Sequence, residues 1–312
     1  MPPIVSISVV VPVYNSENSL LELTRRLEPV LMALTECFEV ILVNDGSRDR
    51  GWEAICALCI QYPWVRGINL MRNYGQHNAL LCGVRAAQNE FLVTMDDDLQ
   101  HCPEEIPKLL FKLAEGYDVV YGIADVMPHT WWRNWFSVAT KRSLAYLMGA
   151  KTIRDLSAFR MFRSHLRHAF TNYNNCNVIL DALLSWGTTK FATVVVHEEQ
   201  RSIGRSNYSL TRLMQVAGNV MTGFSTLPLR FASVMGLLLS FFGVLVLLYA
   251  FGVFFFAGSV PGFTFLASII AIFGGAQLFT TGILGEYLAR VFDRSIDRPP
   301  YVIMEETVSK DV

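Results

Sequence analysis

The chain has 312 residues, 26 basic and 27 acidic, for a net charge of −1, and six cysteines. Its mean hydropathy of +0.33 is too high for an ordinary soluble protein, and no nucleic-acid partner is expected. The cysteines are expected to be reduced thiols in a cytoplasmic domain rather than a disulfide framework.

The first half alternates two kinds of apolar pattern. Runs at residues 7–11, 39–43, 65–70, 91–95 and 119–121 predict strands, and residues 20–34, 52–61, 76–88 and 104–113 predict helices. Pro103 followed by Glu104 and Glu105 marks the start of the last of these helices. Such alternation predicts an α/β fold, a mostly parallel sheet with helices on both faces. No G-x-G-x-x-G follows the first strand, which argues against a dinucleotide-binding oxidoreductase. Cys56 and Cys59 form a C-x-x-C, but they share a predicted helix face with Trp52 and Ile55. No second pair completes a zinc site, so core packing is the expectation.

Residues 131–148 also read as helical, with Trp131, Trp132, Trp135 and Phe136 around Arg133. Both a core position and a membrane–water interface fit that cluster. In residues 209–227, Leu210, Leu213, Met214, Ala217, Val220, Met221, Phe224 and Leu227 fall on one helical stripe. This predicts a helix lying in the membrane interface, with packing against the globular domain as the alternative.

Residues 231–285 contain no Asp, Glu, Lys, Arg or His. A membrane-spanning helix needs about 20 apolar residues, and the breakers at 257–262 divide the stretch into two predicted spans, 231–256 and 263–285. A buried helical hairpin is the alternative. Arg212 and Arg230 precede the pair, and Arg290, Arg294 and Arg298 follow it. The positive-inside rule then puts both termini in the cytoplasm. No signal peptide is expected, because residues 7–13 read as a strand. The expected organisation is a catalytic domain over 1–208, an interfacial helix over 209–228, two spans over 229–287 and a cytoplasmic tail over 288–312.

The candidate chemistry begins at Asp96, Asp97 and Asp98, followed by Leu99 and Gln100, directly after the fourth predicted strand. Strand ends of this kind are where open α/β sheets bind ligands. Crowded carboxylates repel one another, and a divalent cation bridging phosphates is a common partner. A solvated acidic turn is the plain alternative.

Several segments together resemble family-2 glycosyltransferases, in particular the polyprenyl-phosphate branch. The chain is similar to the undecaprenyl-phosphate (bactoprenol) glycosyltransferases and to dolichyl-phosphate mannose synthase. The matching residues are Val10 to Asn15 with Glu17, Val43 to Ser47 with Asp49, Arg72 to Gln76, and Met95 to Gln100. Asp155 with Phe159 and Arg160, then Arg201 with Gly204, Ser206 and Tyr208, and Ser225 to Arg230 complete the order.

This resemblance implies a GT-A fold, a UDP-sugar donor, an undecaprenyl-phosphate acceptor, Mg²⁺ or Mn²⁺, and a homotetramer in the bacterial inner membrane, in contact with membrane lipid. It implies that Asp98, Asp96 and Gln100 hold the metal, and that Pro12, Tyr14, Glu17, Asp45, Arg72 and Asp96 bind the nucleotide. Asp155 would orient acceptor and donor. Arg201 matches the acceptor-side motif, with Arg133, Arg160, Arg205, Ser206 and Tyr208 beside the acceptor phosphate. A phosphate acceptor is already ionised, its second pKa being about 6, so it needs cations more than a general base.

Two positions depart from the family pattern. Ala124 stands where an arginine is common, and Asn207 where a lysine is common. Two other readings follow: a catalytically silent membrane-bound subunit, and a processive polysaccharide synthase. The second is disfavoured by the absence of a Gln-x-x-Arg-Trp motif and of further spans.

Overall fold

A computed structural model describes residues 5–124, 157–176, 178–199, 227–257, 262–296 and 298–307. The helix expected at 131–148 lies outside these residues, as does all but the last residue of the one expected at 209–227.

The strands are β1 (Ser6–Val13), β2 (Cys37–Asn44), β3 (Val65–Leu70), β4 (Phe91–Thr94), β5 (Val119–Ala124), β6 (Arg160–Arg163), β7 (Phe191–Val196) and β8 (Ile303–Glu306). The helices are α1 (Leu20–Leu34), α2 (Gly51–Gln61), α3 (Gln76–Ala86), α4 (Ile106–Ala114), α5 (Leu180–Gly187), α6 (Leu227–Ala257) and α7 (Phe263–Ser295). Pro103–Glu105 is a 3-10 turn that leads into α4.

The strands form one sheet in the order β7-β5-β6-β4-β1-β2-β3-β8. β1 runs parallel to β2 and to β4, β2 to β3, and β5 to β7; β6 and β8 run antiparallel to their neighbours. The sheet is thus mostly parallel, as the alternation predicts.

Apolar layers cover both faces, which explains why the central strands read as continuous apolar runs rather than alternating ones. On one face Val9, Val11 and Leu42 pack with Leu23 and Leu27 of α1, Ile55 of α2 and Leu109 of α4. On the other, Val10, Ile41 and Val43 pack with Leu80 and Val84 of α3 and Leu183 of α5. Cys56 and Cys59 lie on α2 as expected, and all six cysteines are free.

Pro12 lies inside β1, a central strand, where the missing N–H normally breaks a ladder. The last bond from β4 is Met95 N–H to the Val10 carbonyl at 3.3 Å. The donor that Pro12 lacks would have continued a ladder that stops there, so the proline marks where the two chains part.

The C-terminal segment differs from the expectation of a plain tail. β8 pairs antiparallel with β3, Asn69 opposite Glu305 and Ile68 opposite Glu306. Its four residues are all exposed and have no alternating pattern; the open edge of β3 makes them a strand.

The chain divides into two compact units, Met1–Asn207 with Arg298–Val312, and Tyr208–Asp297. In the second, α6 and α7 pack closely: a Cβ added at Gly243 would lie 2.7 Å from the Phe273 ring. No helix among the described residues is long and apolar enough to cross a membrane. Within α6, positions 227, 228, 230, 247, 250, 251, 254 and 257 fall outside the described side chains and interrupt its described apolar run.

Candidate active site

β1 lies between β2 and β4, so the chain turns one way after β1 and the other way into β4. Ligand crevices of open sheets form where the order reverses in this manner, outside the C-terminal strand ends. The loops after β1 and β4 meet there: the Tyr14 N–H donates to Asp97 Oδ2 at 3.1 Å. Burial pushes the Asp97 carboxyl up to about 6 against the bonds from Ser16 and Tyr14, and the charges of Asp96 and Asp98 add to the shift.

The three carboxylates therefore have different surroundings. Asp97 faces the β1 loop. Asp96 Oδ1 accepts from Gln76 Nε2 at 2.6 Å, which ties it to the first residue of α3. Asp98 Oδ1 accepts from the Gln100 N–H at 3.1 Å, folding the loop on itself. Leu99 between them has φ 62°, a left-handed conformation unusual for a bulky residue. His101 holds the loop from beneath: its Nδ1 accepts from the Asp96 N–H at 3.3 Å, and its ring stacks on Phe159. Burial lowers its pKa, and the Asp96 N–H requires Nδ1 as an acceptor.

The nucleotide-side residues come from the loops after β1, β2 and β3. Glu17 and the β2 loop brace each other, Glu17 N–H to Asp49 Oδ2 at 3.1 Å and Arg50 N–H to Glu17 Oε2 at 2.9 Å. Asn15, also at positive φ (55°), donates its N–H to Ser47 Oγ. Asp45 is 2 % exposed. Its two oxygens accept the Tyr74 N–H at 2.7 Å and the Gly75 N–H at 2.9 Å, so it holds the loop after β3. Burial raises its pKa, and those two bonds oppose the shift.

Next to it, Gly46 has φ +64°, and a Cβ there would sit 2.5 Å from the Arg72 carbonyl carbon and the Asn73 nitrogen. Only glycine allows that approach. Arg72 itself is exposed, with its guanidinium 4.6 Å from the Tyr74 ring centroid. Tyr14 is 42 % exposed and Pro12 is buried.

One expected acceptor residue is corrected. Arg160 is 1 % exposed and ion-paired with Asp181 of α5, and its Nε donates to Thr94 Oγ1 at 2.9 Å. The Tyr121 hydroxyl donates to the same Asp181 oxygen at 2.9 Å. The Arg160 charge is committed to a buried network linking β4, β5, β6 and α5, and is not offered to an acceptor phosphate.

Arg133, Asp155, Arg201, Arg205, Ser206 and Tyr208 lie outside the described residues, as does Asn207. Ala124 ends β5, in register with Val196. The described chain after β7 ends at Glu199, whose N–H donates to the Gln100 carbonyl at 2.9 Å, two residues before Arg201.

The sequence reading gave no role to Asp97, Gln76, His101, Asn44 or Asn69. Asn44, Gln76 and Asp97 lie inside motifs already noted and His101 directly follows one, while the partners of all five are visible only in the fold.

Among the described residues, no group of three His, Cys, Asp or Glu side chains is arranged to hold a metal ion. Asp96, Asp98 and Gln100 supply oxygen donors only. That set fits a hard cation sharing its coordination with substrate phosphates and water, rather than a closed protein-only cage.

The chain is 35% identical over 308 residues to an undecaprenyl-phosphate 4-deoxy-4-formamido-L-arabinose transferase of Pseudomonas paraeruginosa, covering 96% of this chain and 90% of the relative. A transferase of the same name from Klebsiella pneumoniae is 32% identical over 323 residues, covering 99% and 98%. Among solved structures, glucosyl-3-phosphoglycerate synthase of Mycobacterium tuberculosis, in complex with Mn²⁺, UDP-glucose and phosphoglyceric acid, aligns with a TM-score of 0.51. At 20% identity, over 70% of this chain and 77% of that one, it shows a shared fold. Residues 8–175, which carry β1 from Ser8 onward, β2 to β6 and every loop of the candidate site described above except the 198–199 segment, match Glycosyl transferase family 2, and the chain belongs to that family.

Proposed function

We propose that the protein transfers one sugar, with inversion, from a UDP-sugar to undecaprenyl phosphate at the cytoplasmic face of the bacterial inner membrane. The observation that carries this reading is the identity to undecaprenyl-phosphate transferases over nearly the whole of both chains, 35% across 96% and 90%. The sugar those relatives are named for, 4-deoxy-4-formamido-L-arabinose, is the first donor sugar to test.

The site residues supply what such a reaction needs. Asp96, Asp98 and Gln100 would hold Mg²⁺ or Mn²⁺, which supplies Lewis-acid stabilisation of the diphosphate leaving group. Tyr14, Glu17, Asp45 and Arg72 line or brace the loops around the nucleotide. Asp155 orients acceptor and donor. Arg201, with Arg133, Arg205, Ser206 and Tyr208, offsets the acceptor charge. A phosphate monoester with a second pKa of about 6 attacks without an obligatory general base.

Membrane insertion is supported by the sequence of α6 and α7, since residues 231–285 carry no Asp, Glu, Lys, Arg or His. α6 has 31 residues and α7 has 33. At about 1.5 Å per residue either exceeds a hydrocarbon core of about 30 Å. Large apolar side chains stand exposed along α6, Leu237 at 72 % and Phe255 at 79 % among them, as a lipid-facing surface requires. A homotetramer, implied by the family resemblance, is tested by light scattering of the detergent-solubilised protein.

The decisive experiment offers purified protein in nanodiscs undecaprenyl phosphate, a panel of labelled UDP-sugars and Mg²⁺ or Mn²⁺, with Asp98→Asn as control. Labelled lipid that needs metal and disappears in the variant supports the reading and names the sugar. Metal-dependent UDP binding with no labelled lipid from any donor overturns it in favour of a silent binding subunit.

A further inference from the structure

Four polar side chains outside the reacting centre form a continuous chain from the protein's last strand to its nucleotide loops. Asn69 of β3 donates from Nδ2 to Glu305 Oε1 of β8 at 3.0 Å. Asn69 Oδ1 then accepts from Asn44 Nδ2 of β2 at 2.7 Å, in the interior. Asn44 Oδ1 accepts from the Ser47 N–H at 3.3 Å, and Ser47 Oγ accepts from the Asn15 N–H at 3.1 Å. Beside this chain, the Met71 N–H donates to the Val302 carbonyl at 3.0 Å, directly before Arg72.

The polarity of the chain has one origin. An amide can present either its oxygen or its nitrogen to a neighbour, but a carboxylate only accepts. Glu305 therefore requires the Asn69 nitrogen, which turns the Asn69 oxygen toward Asn44. That in turn leaves the Asn44 oxygen for Ser47. A reversed Asn44 would aim its NH₂ at the Ser47 N–H, donor against donor, and an unpaired buried donor is costly. Asn44 and Asn69 are both nearly buried, at 3 % and 7 % exposure, so water does not readily substitute.

We propose that Glu305 is a positioning residue for donor binding: through Asn69 and Asn44 it fixes the β2 loop, residues 45–48, and with it the β1 loop at Asn15. The C-terminal strand is then a working part of the nucleotide site. This rests on the UDP-sugar reading above. Its signature is a change in donor affinity with little change in turnover, because no member of the chain is placed at the reacting bond.

The test titrates UDP with Mn²⁺ into the full-length protein in nanodiscs and measures donor KM and kcat. Glu305→Ala is expected to weaken UDP binding and raise donor KM about tenfold, with kcat within about twofold. Glu305→Gln, whose oxygen still accepts, restores UDP affinity. Thr307→Val is the control: Thr307 Oγ1 accepts from the Gly67 N–H at 2.7 Å on the same strand pair, away from the relay. It should lower thermal stability with UDP affinity unchanged.

The proposal is overturned if Glu305→Ala binds UDP like the parent, if Glu305→Gln is as impaired as the alanine variant, or if Thr307→Val weakens UDP equally. Failure of the parent protein to bind UDP at all would instead strike the UDP-sugar reading.

Discussion

The Tyr14 N–H donates to Asp97 Oδ2 across 83 residues of sequence, at 3.1 Å. This bond joins the loops after β1 and β4 at the point where the sheet order reverses. The middle carboxylate of the acidic run is thereby turned toward the β1 loop, while Asp96 accepts from Gln76 and Asp98 from the Gln100 N–H. An acidic run that looks uniform in sequence is divided by the fold into one bracing residue and two candidate ligands.

Asp98→Asn tests the metal role of that division. Removing a charged oxygen ligand should lower sugar transfer by about 100-fold, the scale of losing a main leaving-group stabiliser. UDP binding measured without metal should be unchanged, while the enhancement of binding by Mn²⁺ should fall. Steady-state transfer and calorimetric UDP titration with and without Mn²⁺ read the two effects separately.

Gly46→Ala should damage the nucleotide loops from within. The new Cβ would meet backbone atoms of Arg72 and Asn73 at 2.5 Å, at a φ of +64°. Strain at such a position costs about 1–3 kcal/mol before any clash is counted. A lower thermal midpoint together with weaker UDP binding is the expected result, whereas Gly116→Ala, with open space around its Cβ, should cost stability through its φ of +103° alone.

Arg160→Ala should be among the most destabilising single changes, because it leaves Asp181 buried without its cation. Breaking a buried ion pair on one side costs about 3–5 kcal/mol. Arg160→Met combined with Asp181→Leu should recover much of that loss in denaturant unfolding. Arg160→Lys, where it folds, should keep the parent's KM for undecaprenyl phosphate. A raised acceptor KM in that variant would return Arg160 to the acceptor site.

Arg26 and Glu104 predict the acid response of the outer bracing. The Arg26 guanidinium donates to both Glu104 oxygens, at 3.0 and 2.7 Å, and to Glu199 at 2.9 Å. Its hydrogen bonds hold the Glu104 carboxyl below the ordinary carboxylate range, against a smaller opposing effect of burial. A lowered folded-state pKa gives stability that is fully present above the unfolded value, about 4.3, and lost as pH falls through the folded value. Glu104 is half exposed, so the contribution is about 1 kcal/mol or less. Arg26→Gln should flatten the decline of the denaturant midpoint below about pH 4.3 and leave the midpoint near neutral pH only slightly lower.

Much of the catalytic unit was legible in the chain because its signals are local. β3 spans the predicted 65–70 and α1 the predicted 20–34, since an apolar run or stripe depends only on nearby residues. The family motifs likewise sit on contiguous loops; Asp96 and Asp98 stand out from their neighbours alone, and Asp45 through the resemblance. The acceptor-side residues Asp155, Arg201 and Arg205 were legible only through resemblance.

What the sequence by itself determined was therefore the alternation of elements, the charge-free stretch from 231 to 285 and the order of motifs that places the chain in its family. What only the tertiary structure decided was the company each polar residue keeps. Arg160 looked like a phosphate ligand until Asp181, 21 residues on, closed around it. Glu305 looked like part of a tail until it met Asn69 across 236 residues. The physical reason is that a charge or an amide carries no period of its own. Its partner is set by strand order and register, and those depend on which distant apolar faces bury each other.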